Sequence, residues 1–404
     1  MRSQGIRSFR MLSVFVAVLC IIAGCATSPP APTDTTAELS FAEAVNTATD
    51  GMVAQLQKLP AFLAKMEATI NKRGVVVDPM IDAASGQQTA ATRQLEQLVT
   101  ERLRTTFSQF ELLPFQVSNL SKAQYLLTGT MTRVASKKAG TRNVFQINLA
   151  LTEMKTGTVV AQASSRARDE GLDMTPTPYY RDSPILVKDK VVDGYIKTAE
   201  TPPGGKADAV YFERVAAATL ISDALVAYNN DRYEEALTLY RNAAATPAGE
   251  QIRVLNGIYL ATWKLGRASE AEEAFGKVVA LGLSSNNLGV KFLFSPGSTE
   301  FWPDPKVSGP YGIWLRQIAR QAATTKVCMI VVGHTSLTGS EPYNDRLSQQ
   351  RATYIKQRLD AEAPDLASRT RATGMGFREN IVGTGTDDAR DALDRRVEFK
   401  ITGC

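Results

Sequence analysis

Histidine and cysteine are scarce in this chain of 404 residues, which has one histidine, His334, and four cysteines. A single histidine disfavours metal centres built from several imidazoles and argues against a serine-histidine-aspartate hydrolase. The formal net charge is only +5, and we find no concentrated basic patch of the kind that nucleic acid requires. We therefore expect no catalytic residue, no metal site, no cofactor and no nucleic-acid partner. With 44% hydrophobic and 22% charged residues, the chain is typical of a globular protein of two to four domains.

Residues 1–24 have the pattern of a secretion signal. Three arginines lie among the first ten residues, and the apolar run 11–23 is too short to cross a bilayer comfortably. The run ends in Ile22-Ala23-Gly24-Cys25, which resembles the lipobox of bacterial lipoproteins. The resemblance implies that Cys25 is acylated, and several acyl chains give durable anchoring. An ordinary cleaved signal with an incidental cysteine is the alternative.

The residues that follow Cys25 indicate a destination. Ala26 stands where lipoproteins retained in the inner membrane of Gram-negative bacteria mainly carry Asp, so the resemblance implies an anchor in the outer membrane, facing the periplasm. Residues 25–40 are rich in Pro, Ser and Thr, which predicts an extended tether between the lipid and the folded body.

Residues 41–166 are predicted to form an α/β domain of two or three layers. An amphipathic helix is expected from Phe41 to Ile70, interrupted near Pro60, and a long helix is expected after Gly86. The expected strands are 74–78, 110–117, 123–132, 144–152 and 159–165, the last two joined by a turn at 155–158.

The stretch from Val75 to Arg166 resembles the periplasmic α/β domain of the lipoprotein family that includes flagellar FlgO, curli CsgG and the penicillin-binding-protein activators. Tyr125–Thr130 (YLLTGT) carries most of that resemblance. The domain contains no cysteine, no glycine-rich phosphate loop and no paired carboxylates, so contact with an envelope protein is expected in place of catalysis.

An irregular connection is expected over 167–209, which contains five prolines. Residues 210–286 are predicted to form two helix pairs similar to tetratricopeptide (TPR) repeats. Ala236, Tyr240 and Ala243 recur as Ala271, Phe275 and Val278, with an offset of 35 positions that is close to the tetratricopeptide period. The pairs are expected to act either as a spacer or as a peptide-binding surface.

Residues 287–404 are predicted to form a βαβαββ domain with a mixed sheet and helices on one face. This stretch resembles the OmpA-like peptidoglycan-binding module. The segments that carry the resemblance are Gly333-His334-Thr335, Tyr343-Asn344, Leu347-Ser348, Arg351-Ala352, Gly374-Met375-Gly376-Phe377 and Asp394-Arg395-Arg396-Val397-Glu398.

The resemblance implies a site for the zwitterionic diaminopimelate end of the peptidoglycan stem peptide, formed by Thr335, Ser336, Asn344, Arg351 and Arg396. Arg351 takes the place of the arginine that binds the ligand carboxylate. Ser336 takes the place of the aspartate that binds the ligand ammonium. This departure removes a charge-assisted hydrogen bond, which costs roughly 1.5–3 kcal/mol, or about ten- to a hundredfold in affinity.

Several roles around this site stay open. Glu341 or Asp345 would supply the missing charge if either lies close enough. Asn344 is expected to cap a helix, to contact the ligand, or both. His334 is expected to be a hydrogen-bonded scaffold residue and not a catalyst. Arg395 and Arg396 alternate along a strand, so one is expected to face the site and the other the solvent.

Cys328 and Cys404 are the two cysteines that remain once Cys20 is removed with the signal and Cys25 is acylated. The periplasm is oxidising, and in OmpA-like sheets the last strand runs antiparallel beside the strand that begins near Cys328. A disulfide between Cys328 and Cys404 is therefore expected, with two separate thiols as the alternative.

Together these features predict a multidomain α/β plus α lipoprotein that is not an enzyme. The expected function is to link the outer membrane noncovalently to peptidoglycan and to scaffold envelope proteins. The alternative is an accessory or activator lipoprotein of an envelope machine (flagellar, secretion or cell-wall synthesis) with weak or no peptidoglycan binding. An envelope hydrolase is disfavoured because we find no convincing nucleophile and base.

Overall fold

The computed structural model describes residues 37–56, 72–136, 143–295, 297–383, 385 and 389–404. The predicted signal, Cys25 and most of the tether lie outside the described residues, as does the second half of the first predicted helix. The tether was expected to continue to residue 40, but Glu38–Leu39 (β1) joins a sheet beside Arg166 and Ala167. Among the described residues, no helix combines the length and the apolar character that a membrane span requires.

The N-terminal region is built on a mixed sheet that has seven strands within the described residues. After β1, its strands are Arg73–Val77 (β2), Ile81–Asp82 (β3), Phe110–Leu113 (β4), Tyr125–Val134 (β5), Val144–Glu153 (β6) and Thr158–Arg168 (β7). The order is β1-β7-β6-β5-β2-β4, and β3 pairs with β5. Strand β2 runs parallel to β4 and β5, whereas β5, β6 and β7 form an antiparallel meander. The last turn of that meander contains Gly157, whose φ of +67° suits glycine.

Helices on both faces make this sheet the middle of three layers. Phe41–Ala54 (α1) and Ala90–Thr106 (α2) each begin with a capping box, and they bury their apolar faces together with Val75 and Leu127. Val76 and Leu126 belong to a separate apolar cluster on the opposite face, because successive residues of a strand point to opposite sides.

One strand is shorter than the sequence predicted. A strand was expected over 110–117, but β4 ends at Leu113, directly before Pro114, and a short helix follows at Val117–Leu120 (α3). Proline has no N–H to donate to a neighbouring strand, so the pairing stops there.

The expectation of an irregular connection over 167–209 was wrong for much of its length. Two helices lie there, Pro178–Asp182 (α4) and Lys190–Glu200 (α5), and a third, Ala209–Phe212 (α6), begins at its last residue. Asp189 begins α5 by accepting hydrogen bonds from the backbone N–H groups of Val191 and Val192. Helix α5 then buries Val192 and Tyr195 against the second face of the sheet. The sequence did not predict α5, because prolines lie on both sides of it and its stability comes from this packing.

Four longer helices follow as two antiparallel pairs. Val215–Asn229 (α7) pairs with Tyr233–Ala244 (α8), and Ile252–Lys264 (α9) pairs with Ala268–Ser284 (α10). Asp231 and Gly266 lie in the turns of the two pairs, 35 positions apart, and both have positive φ (59° and 73°). A Cβ atom on Gly257 would lie 2.4 Å from the ring of Tyr240, so glycine permits the close approach of α9 to α8.

The C-terminal region has its own mixed sheet. Its strands are Gly289–Lys291 (β8), Cys328–Gly333 (β9), Thr370–Gly374 (β10) and Arg396–Thr402 (β11). The order is β10-β9-β11-β8, with β9 and β10 parallel and β11 antiparallel to both β9 and β8. The helices between these strands are Pro305–Ser308 (α11), Tyr311–Thr325 (α12) and Glu341–Glu362 (α13), with 3₁₀ turns at Pro364–Leu366 and Ala389–Leu393.

The helix pairs and the C-terminal sheet share one apolar core. Trp314 of α12 stacks on Phe275 of α10, with ring centres 5.8 Å apart, and its indole N–H donates to the hydroxyl of Tyr259 at 2.7 Å. These two regions therefore bury their surfaces against each other along α10 and α12.

A candidate ligand site at the ends of two parallel strands

Two glycines let α13 approach the C-terminal sheet. A Cβ atom on Gly333, the last residue of β9, would lie 2.3 Å from the carbonyl oxygen of Ser348. A Cβ atom on Gly374, the last residue of β10, would lie 2.4 Å from the backbone nitrogen of Gln349. Both distances are far below a normal van der Waals contact, so glycine permits this packing. The loops that follow the two strands therefore start side by side against the N-terminal half of α13.

Thr335 and Ser336 lie in the loop after β9, with only 2% and 6% of their surface exposed. The N–H of Thr335 donates to the carbonyl of Gly376 at 2.9 Å. The N–H of Gly376 donates to the Ser348 hydroxyl at 2.9 Å, and that hydroxyl donates to the carbonyl of Asp345 at 2.9 Å. This chain of hydrogen bonds joins the two loops to α13.

Arg351 lies one turn further along α13 than Ser348, on the same face. Its Nε donates to the carbonyl of Ser298 at 3.1 Å, and its Nη2 donates to the carbonyl of Ser295 at 3.3 Å. The guanidinium carbon lies 4.8 Å from the ring centre of Phe294, and the residue is 6% exposed. The predicted carboxylate-binding group therefore contacts the backbone of the segment that precedes α11.

Asn344 orders the turn that leads into α13. Its Nδ2 donates to the carbonyls of Thr338 at 2.9 Å and Ser340 at 3.2 Å. Ser340 is the residue at the helix start, so Asn344 acts from the first turn of the helix and is not the N-cap itself. The expected helix-cap role is therefore wrong, because Ser340 occupies the cap position; the ligand-contact role stays a prediction.

Arg396 is buried on β11, whereas Arg395 is half-buried. The Nε of Arg396 donates to Oε1 of Glu398 at 2.7 Å, and its Nη2 donates to the carbonyl of Glu379 at 3.1 Å. The backbone carbonyl of Arg396 accepts the N–H of His334 at 3.0 Å, which links β11 to the loop after β9.

Glu341 and Asp345, the two acidic residues considered as replacements for the missing aspartate, both bind the same cation. Arg378, in the loop after β10, donates to Asp345 Oδ1 at 2.6 Å and to Glu341 Oε1 at 3.3 Å. These hydrogen bonds raise the pKa of Arg378. Both carboxylates therefore neutralise a cation of the protein in this structure.

Asp394, for which the sequence patterns predicted no role, is fully buried in the loop between β10 and β11. Its carboxylate accepts three backbone N–H groups, from Ile381 at 2.7 Å, Val382 at 3.0 Å and Gly383 at 2.7 Å. Burial raises its pKa, and these hydrogen bonds oppose that effect. Asp394 stood within a segment that carried the family resemblance, but its donors are residues that no sequence pattern marked.

The amide of Asn380 ties the same loop to the predicted site. In the orientation that satisfies its neighbours, Asn380 donates to the carbonyl of Thr335 at 2.9 Å and accepts the N–H of Leu337 at 3.3 Å. Leu337 and Tyr343 are 45% and 43% exposed, so the edge of the site next to Thr335 is partly apolar.

His334 lies in a buried position between charged groups. Its Nε2 is 3.7 Å from Oε2 of Glu398, which is too long for a hydrogen bond. Burial lowers the pKa of His334, so the ring is neutral at pH 7. Burial would raise the pKa of Glu398, but the charge and the hydrogen bond of Arg396 outweigh it and hold the pKa well below its usual range.

A disulfide joins Cys328 to Cys404, with their Cα atoms 5.2 Å apart. Cys328 opens β9 and lies opposite Thr402, near the end of the antiparallel strand β11. This pairing places the chain terminus beside the start of β9, within the Cα separation that a disulfide spans.

Comparison with known proteins gives matches to the C-terminal region. Residues 293–393 match the sequence model of the OmpA family. Outer membrane protein A of Bordetella avium is 37% identical over 90 residues, which are 22% of this chain and 45% of that protein. The probable lipoprotein YiaD of Escherichia coli K12 is 38% identical over 77 residues, which are 19% of this chain and 34% of that protein. The chain thus spans less than half the length of these relatives.

Two solved structures each align with somewhat more than a quarter of the chain. The peptidoglycan-associated lipoprotein from Burkholderia pseudomallei is 22% identical, with 28% of this chain and 89% of that chain covered and a TM-score of 0.24. The cell wall anchor of the T6SS from Pseudomonas aeruginosa is 25% identical, with 29% and 80% covered and a TM-score of 0.24. Taken with the family match and the βαβαββ order of the described elements, the sequence relatives identify the C-terminal region of this mixed α/β protein as an OmpA-like domain.

Proposed function

We propose that this protein is an outer-membrane lipoprotein, facing the periplasm, whose C-terminal domain binds the diaminopimelate-containing stem peptide of peptidoglycan. The match of residues 293–393 to the OmpA family carries the proposal. The loops after β9 and β10 support it, because hydrogen bonds through Gly376 and Ser348 fix them against α13. A loop held in this way loses little entropy when a ligand binds.

The proposed site keeps the family arginine but not the family aspartate. Arg351 would bind the ligand carboxylate after exchanging the carbonyls of Ser295 and Ser298 for it. Ser336 offers a hydroxyl where a carboxylate would bind the ligand ammonium. We therefore propose weaker binding than that of a site with both charges.

Binding of the full chain to purified peptidoglycan sacculi, with and without competing diaminopimelate, tests the proposal. Arg351→Ala should weaken binding by about tenfold or more, and Ser336→Asp should strengthen it by about ten- to a hundredfold. Arg358→Ala is a matched control, because Arg358 lies on the same helix and its guanidinium also lies near an aromatic ring, that of Phe301. Wild-type protein that stays in the supernatant, or two variants that bind like the wild type, would contradict the proposed site.

Lipid anchoring is proposed from Cys25, which lies outside the described residues. Cys25→Ala should move the protein from the detergent phase to the aqueous phase in detergent partitioning. Mass spectrometry of the mature N-terminus provides the direct measurement. An unmodified mature Cys25 would end the lipoprotein proposal.

A second candidate function is that of an accessory or activator lipoprotein for an envelope machine. The burial of Ser336 and Arg351 favours it, since both are only 6% exposed and Arg351 already contacts two carbonyls. The paired helices would then supply the partner surface, and their 35-residue offset and matching turns at Asp231 and Gly266 support the tetratricopeptide-like interpretation. Absence of sacculus binding together with a stable envelope partner would favour this candidate.

A further inference from the structure

Three residues with metal-ligating side chains meet beside the loop after β9. His334 follows β9, Glu379 lies in the loop after β10, and Glu398 lies on β11. One ligand atom from each lies within 4.8 Å of the other two. Three separate elements of the fold thus bring one imidazole and two carboxylates to a single point.

The imidazole of His334 provides the second, independent observation. Its side chain is completely buried, and neither ring nitrogen makes a hydrogen bond to the residues that the structure describes. A buried polar group without a partner costs free energy, and such groups in native proteins call for an explanation. Nε2 faces Glu398 Oε2 at 3.7 Å. Two atoms that each bind one ion at about 2.0–2.2 Å lie roughly 3–4 Å apart.

Two cations already contact these carboxylates. Arg396 binds Oε1 of Glu398, which leaves Oε2 directed at His334. The Nζ of Lys400 lies 3.3 Å from Glu398 Oε2 and 3.4 Å from Glu379 Oε2, between the two acidic groups. The Lys400 side chain is 41% exposed, so it is free to turn into the solvent. Arg396, in contrast, is buried and would orient Glu398 from behind the metal.

We propose that His334, Glu379 and Glu398 bind a divalent first-row transition metal such as Zn²⁺, with Lys400 occupying the cation position when no metal is bound. The donor set is one nitrogen and two carboxylate oxygens. It suits Zn²⁺ better than Ca²⁺ or Mg²⁺, because those two ions prefer sites made only of oxygen ligands. The bound ion would connect both loops of the C-terminal domain to β11, next to Thr335. This inference does not depend on peptidoglycan binding.

Isothermal titration calorimetry tests the proposal, with Zn²⁺ titrated into the untagged, full-length protein in detergent. Because His334 is the only histidine of the chain, its ring resonances in an NMR spectrum report on the site without ambiguity. We expect one Zn²⁺ per chain and a shift of those resonances at the same stoichiometry. No saturable binding, or saturable binding without a shift of the His334 resonances, would overturn the proposal.

Substitutions that leave the buried histidine in place separate this site from adventitious binding. Glu379→Gln removes an exposed ligand and should weaken binding by roughly tenfold or more. Lys400→Met removes the competing ammonium and should strengthen binding by several-fold or more. Lys356→Met is the control, because Lys356 also forms an ion pair on the same domain, with Asp360 at 2.5 Å. Unchanged affinity in Glu379→Gln, or weaker binding in Lys400→Met, would overturn the assignment.

Discussion

The two sheets of this protein differ in what covers the carboxyl ends of their parallel strands. In the N-terminal sheet, β2 is followed by Asp78. Tyr211 donates to the Asp78 carboxylate at 2.7 Å, and Tyr195 exchanges hydrogen bonds with the backbone of Gly129. In the C-terminal sheet, β9 and β10 end in glycines and continue into loops held by backbone hydrogen bonds. Aromatic side chains close the first edge, whereas polar loops form the second.

The difference shows why a binding site is proposed at one edge and not at the other. Tyr195 and Tyr211 fill the space above β2, and burial raises the pKa of both hydroxyls well above the ordinary value. At the C-terminal edge, Ser336 and Asn344 instead adjoin in sequence the exposed apolar residues Leu337 and Tyr343. The most informative changes are those that affect one sheet and spare the other.

The largest expected effect comes from the disulfide, which only the C-terminal sheet contains, since residues 26–327 have no cysteine. Replacing Cys328 and Cys404 with serine should lower the free energy of unfolding by about 4 kcal/mol in the chain-entropy model, less any strain. Amide hydrogen exchange should accelerate in β9 and β11 and stay unchanged in β5 and β6. Two alkylatable thiols in folded periplasmic protein would show that the bond does not form.

A pair of glycine-to-alanine changes compares how tightly the sheets are packed. Gly333→Ala would place a Cβ against the backbone of α13 and should cost at least about 3 kcal/mol. Gly129→Ala, in β5, would meet the flexible side-chain atoms of Met80 at 2.7 Å and Leu149 at 2.9 Å, so it should cost about 1 kcal/mol. Urea unfolding curves measure both. Equal decreases in the free energy of unfolding would mean that α13 shifts away from an added Cβ as easily as the Met80 side chain does.

A smaller effect than that of the disulfide concerns two buried carboxylates with different donors. Burial raises the pKa of Asp78 to about 6 from an ordinary 3.8. Between pH 4 and 6 the folded protein therefore holds a proton that the unfolded chain releases, and the free energy of unfolding should fall as pH rises, by roughly 2–3 kcal/mol. Asp78→Asn should remove this dependence and should be no less stable than the wild type at pH 7.

The matching change in the C-terminal sheet should have the opposite sign. Asp394 accepts three backbone N–H groups, so Asp394→Asn would turn an amide N–H towards one of those donors and should cost about 1–3 kcal/mol at pH 7. Thermal unfolding from pH 4 to pH 8 separates the two variants. Stabilisation by Asp394→Asn would mean that turning an amide N–H towards these donors costs less than keeping a charge buried beside them.

Much of the strand and helix order could be predicted from local patterns. The β-branched run of β2, the alternation along β6 and the glycine at the turn before β7 are short-range signals, and each lies where the structure has the element. Helix α5 was missed because its apolar residues, Val192 and Tyr195, have meaning only against the sheet that they cover. Its local sequence, close to several prolines, did not favour a helix.

The candidate site also has features that the sequence predicted and features that only the structure shows. The sequence by itself singled out the segments around Gly333, Gly374 and Arg351, and its resemblance to the OmpA-like module implied that Ser336 takes the place of an aspartate. The tertiary structure alone decided that Arg351 contacts the carbonyls of Ser295 and Ser298, and that Glu379 and Glu398 lie beside His334. These partners are separated by 45 or more positions in the chain, and periodicity within one element carries no information on which distant residue will pack against it.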